Sequence, residues 1–566
     1  MDTSLQSRLY ALLDKEPEAR AIAFYNEHGS CCWQTREHFH NRAAGYAARL
    51  KDCGLSRGDV CVLVLPSGEY CATMILATLL LGAVPLLVAP PILQAQAAYS
   101  NLIQILNRII GKTRPRVVIC PESMVNMRED LEKGRRWTRF IFGEGDATGT
   151  PVAITLVTPA ESDVAAMQLT SGTTGFPRVC VWRQKNVLAA LDGMATAMRL
   201  GKEDVCLNWT PLYHDMGLVN NFFLCLTGGV PLGMLSPLDF VKTPALWLRA
   251  LFQTGATITW SPNFGFAITA QRVHDDEMEG VRLDGVRAFW NAAERIHAET
   301  MHTFHQRFAP FGVRFEALKT NYGCAENVGG ATFSDPDGTF VVERVDRSSL
   351  QEEGIAHPVA DSEDDAQTVA VIGVGRPYPG MRIEILSQTG RPLSNGHVGE
   401  IALETPTRMV GYLKDQRATR RAIYGNLLRT GDLGYLRDGE LFWVGRMRER
   451  ITVRGMKLDP SDLEPVLLEV PGLRHGNFAA FGVDDKEQGT QRIVIVSEVR
   501  DSTSLSPEQI SAQIRSEVLQ RLGVNVSDVL LVRKGTLTKT SSGKRRHRYF
   551  RQLYVSGNLE SFRIWS

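Results

Sequence analysis

The sequence predicts an α/β protein in two bodies: a large one of layered sheets and helices carrying a β-rich subdomain, followed by a small α+β one. Three observations carry this. Short β-rich runs alternate with helix-like segments through the first 130 residues. Short strands and turns dominate residues 396–444. After about Arg446 the composition resets into a further unit of some 120 residues.

In chain order, residues 21–24 read as a strand, 35–50 as a polar-apolar helix, and 60–65 as a strand ending in Pro66-Ser67-Gly68. Residues 71–92 are uncharged and long enough to suggest a membrane span, but Gly82, Pro85, Pro90 and Pro91 interrupt them. A buried helix feeding a buried strand fits better, and no transmembrane segment is expected. A strand at 86–89, a helix through 103–110 and a strand at 117–120 continue the layers, with no fixed-period repeat. Residues 335–367, with Ser362-Glu363-Asp364-Asp365, are polar and read as a surface excursion. Residues 399–403 and 439–444 read as strands and turn, and 446–450 as a linker.

Composition narrows the function. Sixty-three Lys plus Arg against sixty-two Asp plus Glu leave a net charge of +1, so a globally basic nucleic-acid binder is not expected. Apolar residues at 44%, charged residues at 22%, 50 Gly and 26 Pro exclude a collagen-like or low-complexity chain. The ten cysteines form no CxxC pair, which argues against a zinc ribbon or disulfide framework and for reduced, buried thiols. The start, Met1-Asp2-Thr3-Ser4, lacks the basic and apolar runs of a secretory signal, so a cytoplasmic location is expected.

Gln168-Leu169-Thr170-Ser171-Gly172-Thr173-Thr174-Gly175-Phe176-Pro177-Arg178 carries the clearest chemistry. An apolar strand end runs into hydroxyls and glycines, then a cation. Glycines let backbone N–H groups approach phosphate oxygens, hydroxyls add donors, and the cation offsets charge. The Walker spacing is absent, and by composition alone the stretch is also an ordinary Ser/Thr/Gly turn. Four further stretches follow in order: Tyr322-Gly323-Cys324-Ala325-Glu326, Thr430-Gly431-Asp432, Gly445-Arg446, and Lys539-Thr540-Ser541-Ser542-Gly543-Lys544.

Together these resemble the adenylate-forming (ANL) superfamily along the whole chain. The resemblance implies a large N-terminal AMP-binding domain, 1–445, with a β-rich subdomain at about 376–445, and a small mobile C-terminal domain, 446–566. It implies that Thr170, Ser171, Gly172, Thr173, Thr174 and Gly175 grip the β- and γ-phosphates of ATP, with Arg178 where the family more often has Lys. Tyr322 would stack on adenine beside Asn321, Gly323 and Ala325, and Ala292, Ala293 and Glu294 would present backbone to the adenine edge. Asp432 would accept both ribose hydroxyls, with Arg446 as a further donor, and Glu326 with Thr170 would hold Mg²⁺. Lys544 would be the catalytic cation as a carboxylate attacks the α-phosphorus, and Arg448 the hinge. Read without the resemblance, Lys544, Arg545, Arg546, Arg548 and Arg551 are a solvated basic face or a nucleic-acid patch. Thr538 stands where this family stretch usually opens with Pro.

Within the superfamily, residues 208–218, containing Pro211-Leu212-Tyr213-His214-Asp215-Met216-Gly217, resemble fatty acyl-AMP ligases, with His214 lining the acyl entrance and assigned to catalysis. Forty-eight residues separate Glu326 from Gly375. The excess, about 334–370, resembles the insertion of that group, which is thought to restrain the small domain and disfavour CoA. The acyl group would then pass to the phosphopantetheine thiol of a separate acyl carrier protein in lipid, polyketide or peptide assembly. Acyl-CoA ligases and adenylating enzymes for amino, aryl or other non-fatty acids remain alternatives, as does a catalytically inactive nucleotide-binding relative.

Overall fold

The computed structural model describes residues 3–26, 29–91, 96–144, 157–170, 177–360, 367–453, 456–485, 490–540 and 543–559. Two large sheets form its centre. One runs in the order 376–377, 329–333, 318–324, 288–291, 258–261, 206–208, 232–235, 20–25, 31–35. The other runs 411–412, 179–183, 164–169, 84–87, 60–63, 117–120, 139–142. Most interior pairs are parallel, and antiparallel strands close three of the four edges, as at Arg20–Tyr25 with Cys31–Thr35, while Arg139–Phe142 closes the fourth in parallel. Fully buried parallel strands need apolar residues on both faces, and Val60–Leu63, Val84–Leu87 and Val117–Cys120 are buried at every position.

Helices cover these sheets for readable reasons. Arg36–Asp52 starts where the Thr35 hydroxyl accepts from His38 N at 3.1 Å, and it buries Phe39, Ala43, Ala47 and Leu50 along one stripe. Glu69–Leu80 is buried from Cys71 through Leu80 and leads into Val84–Leu87, the predicted helix and strand. Among the described residues no helix is long and apolar enough to cross a membrane. All ten cysteines are free, six of them buried; Cys31, Cys32, Cys53 and Cys324 are more open than expected.

A third sheet orders 382–386, 399–404, 427–437 and 423–424, with 440–446 paired to 427–437. Residues 335–367 are more than a surface excursion. Val342–Asp346 pairs antiparallel with Thr368–Ile372, and Val345, Leu350 and Ala356 bury against the stacked Tyr435 and Phe442 rings. A few well-placed apolar side chains inside a polar stretch suffice to fold it back.

Beyond Arg450, a three-stranded sheet of 473–485, 490–499 and 526–532 is packed by Pro507–Leu522 and His547–Val555. Two apolar clusters, Ile451 through Leu531 and Ala479 through Leu559, draw only on these later residues. Arg446 is not in a linker: it ends the strand Glu440–Arg446, in register with Asp432.

Candidate active site

A cavity of about 240 Å³ opens where the strand ends of the large sheets meet the third sheet and the Lys544 loop. Most of the expected residues converge on its wall: Thr170, Arg178, His214, Ala292, Ala293, Asn321, Gly323, Ala325, Glu326, Asp432, Arg446, Arg448 and Lys544. Residues Ser171, Gly172, Thr173, Thr174 and Gly175 lie outside the described residues. The loop's two ends are stapled, because Thr170 N donates to Arg178 O at 2.9 Å and Arg178 N to the Thr170 hydroxyl at 3.1 Å.

One wall is built by strand pairing. Tyr322 OH donates to Asp432 Oδ2 at 2.8 Å, and Arg446 Nε lies 3.2 Å from Asp432 Oδ1. Burial and the Asp432 carboxylate push the Tyr322 phenol well up, keeping it a donor. Tyr322 is buried and not part of the wall itself. A Cβ on Gly323 would fall 2.4 Å from Gly329 O, so only glycine lets these strands approach here. Ala293 (φ 73°) and Val328 (φ 58°), both non-glycine, hold left-handed backbone near the cavity. Glu294 turns away from the cavity, its Oε1 accepting from Phe264 N at 2.7 Å. Burial and the nearby Glu464 carboxylate push its carboxyl up.

A second wall carries charge. His214 Nδ1 lies 2.8 Å from Asp215 Oδ1. Burial alone would raise the Asp215 carboxyl, but His214 and then Lys544 bring it below its usual range. Lys544 is half-buried, and desolvation and Arg446 push its amine down, opposed by Asp215, Asp432 and Glu294. The unit that carries Lys544 is held by ion pairs spanning distant sequence. Arg295 pairs with Asp462 and donates to Ser461 Oγ at 3.0 Å. Arg545 Nη1 donates to Glu464 Oε2 at 2.9 Å, and His297 Nε2 stands 3.7 Å from that oxygen. Burial would raise Glu464, yet Arg545 and His297 hold its carboxyl well below the usual range.

Among the described residues no three His, Cys, Asp or Glu side chains gather as a metal cluster. Glu326 and Thr170, sharing this wall, fit a different demand, because Mg²⁺ on a nucleotide takes one or two carboxylates plus phosphate oxygens and water. The cavity therefore joins hydroxyl acceptors, a carboxylate for a cation and a desolvated amine, a set suited to reaction at a nucleotide phosphate. Asp215, Tyr412 and the ion pairs around the Lys544 loop were not singled out from sequence. Asp215 lies inside a quoted stretch, but the others join residues more than 80 positions apart.

Comparison with known proteins agrees with this geometry. The AMP-binding enzyme family matches residues 11–413. Medium-chain-fatty-acid--[acyl-carrier-protein] ligase JamA of Moorena producens is 30% identical over 70% of this chain and 69% of its own. Long-chain-fatty-acid--AMP ligase FadD26 of Mycobacterium tuberculosis is 26% identical over 96% of each. A structure from a study of fatty acyl-adenylate ligases of E. coli and L. pneumophila superposes with a TM-score of 0.89 at 25% identity, covering 99% of both chains. With family, fold and cavity in agreement, the chain belongs to the AMP-binding enzymes of the adenylate-forming superfamily.

Proposed function

We propose that this protein activates a fatty acid as its acyl-adenylate, using Mg·ATP and releasing pyrophosphate, and then passes the acyl group to the phosphopantetheine thiol of a separate acyl carrier protein. The observation that carries the first step is Lys544, a lysine from the far C-terminal region, lining the same cavity as Asp432, Arg446 and His214. In that step a carboxylate approaches an anionic phosphate. An ammonium between them offsets charge most where it is redistributed, in the transition state.

On this reading Asp432 accepts the ribose hydroxyls, Tyr322 and Arg446 fix its two oxygens, and the backbone of Ala292 and Ala293 borders adenine. The loop from Thr170 to Arg178 holds the phosphates. Glu326 and Thr170 would hold Mg²⁺, which when bound would screen the phosphate charge. His214, fixed by Asp215, lines the acyl entrance. Residues 1–445 form the nucleotide- and acid-binding body, 446–566 the unit that presents Lys544, and Arg448 the turning point. The fatty acid and carrier assignments rest on likeness to JamA, FadD26 and the fatty acyl-adenylate ligase structure.

The acceptor assignment has support in the segment about 334–370. Lys457 Nζ donates to Glu352 O at 2.9 Å, tying that segment to the unit carrying Lys544. Such a tie disfavours any rearrangement that free CoA needs, while a docked carrier adds its own interface energy. The test is mass spectrometry of products with CoA and holo carrier offered separately, on wild type and on a deletion of residues 340–366. Acyl-AMP without appreciable acyl-CoA, acyl transfer to the carrier, and more acyl-CoA from the deletion are expected. Rapid acyl-CoA synthesis by the unmodified enzyme would replace the carrier reading with a CoA ligase.

A further inference from the structure

Glu326 is gripped by a tyrosine 86 positions away. Tyr412 OH donates to Glu326 Oε1 at 2.6 Å, leaving Oε2 as the oxygen available to a cation. We propose that Tyr412 is a positioning residue that presets the Glu326 carboxylate for the nucleotide-bound divalent cation, a step that rests on the adenylation reading above.

The surroundings of Tyr412 are built to hold its ring still. Gly411–Tyr412 pairs antiparallel with Val179–Arg183, Tyr412 opposite Cys180. Val410 N donates to Val181 O and Leu413 N to Val179 O, both at 2.8 Å. On the other side Tyr412 N donates to Thr419 Oγ1 at 2.9 Å. Met409 N donates to Glu326 O at 2.8 Å, so the strand bearing the phenol is fixed to the backbone of the glutamate it serves. The Arg178 guanidinium lies 5.3 Å from the ring centroid and 3.7 Å from Asp415 Oδ2. The same phenol therefore links the cation-binding carboxylate to the arginine at the end of the Thr170–Arg178 loop.

The physical consequence follows from the cation's demands. Mg²⁺ tolerates little departure from octahedral geometry, so a carboxylate free to rotate loses entropy on binding, and one already oriented does not. Orienting partners of metal ligands typically change metal affinity by about 10–100-fold when removed. Phenylalanine at 412 keeps the ring, its packing and its contact with Arg178 while deleting only the donor.

The experiment uses Mn²⁺ as the probe, with α,β-methylene-ATP, reading free Mn²⁺ by electron paramagnetic resonance on the full chain. Tyr412→Phe is expected to weaken Mn²⁺ binding to the protein–nucleotide complex about 10-fold while metal-free nucleotide affinity stays within 2-fold of wild type. Glu326→Asp, which draws the carboxylate back by one methylene, should weaken Mn²⁺ in the same direction. In that background Tyr412→Phe should add less than 2-fold, because the two residues act as one unit. This double-variant test still applies if the single variant loses some thermal stability. Unchanged Mn²⁺ affinity in Tyr412→Phe, or a full 10-fold effect persisting beside Glu326→Asp, would overturn the proposal. Absence of any nucleotide-dependent Mn²⁺ binding by wild type would overturn the underlying adenylation reading as well.

Discussion

The two walls of the cavity are made differently. The Asp432 wall is assembled by strand register, Asp432 and Arg446 facing each other across paired strands, with Tyr322 reaching Asp432 from a strand of another sheet. The Lys544 wall is held by charge: Arg295–Asp462 links two separate apolar clusters, and Arg545–Glu464 fixes the neighbour of Lys544 within the later one. A register-built wall is as stable as the sheet that forms it. A charge-built wall depends on desolvated pairs whose loss leaves an uncompensated ion, and it responds to ionic strength wherever solvent reaches it. The nucleotide side is thus permanent and the lysine side is conditional.

The largest expected effect breaks the conditional wall at its tip. Lys544→Ala should lower hydroxylamine-trapped acyl-AMP by about 10²–10³-fold, the usual scale for one lost transition-state donor, with little change in melting temperature. Near-normal trapping would remove Lys544 from the mechanism. The pH profile sharpens the same point. Desolvation and Arg446 depress the Lys544 amine, so it loses its proton at lower pH than a free lysine. Adenylation should hold below that point and fall as pH rises through it. Lys544→Arg, at reduced rate, should extend activity to higher pH, and an unchanged alkaline limb would assign it to another group.

Next comes the permanent wall. Asp432→Ala removes a two-oxygen acceptor, so the KM for ATP should rise about 10-fold or more while the KM for the acid moves much less. Equal weakening of both substrates would contradict a ribose role.

The contrast between walls also explains what could be read from sequence. Layered α/β order, the buried helix at 69–80 and the Asp432 and Tyr322 stretches were legible because strand pattern and motif are local. Glu294, expected to present only its backbone, sends its side chain to Phe264 N, a contact between residues 30 positions apart that gives no local signal. Tyr412, Arg295 and Glu464 gave no local signal, since their roles exist only through partners 86, 166 and 81 residues away. The polar segment after Asp335 hid a small sheet because Val345, Leu350 and Ala356 are too few to form a recognisable period.

The smallest expected effect separates the walls most cleanly. Arg295→Ala leaves Asp462 without its guanidinium, so adenylation should slow about 3–10-fold and become more sensitive to added salt, while nucleotide affinity through Asp432 is nearly retained. A loss of nucleotide affinity matching the loss of rate would mean that the walls are one unit.

The claim beneath all of these is that the cavity joins a fatty carboxylate to the α-phosphorus of ATP. ATP–pyrophosphate exchange by the wild-type chain, measured across a panel of fatty, aryl and amino acids, tests it directly. Exchange that requires both Mg²⁺ and a fatty acid, and rises above the acid-free rate for no amino or aryl acid, is the predicted result. No exchange with any fatty acid, or faster exchange with a non-fatty acid, would contradict it.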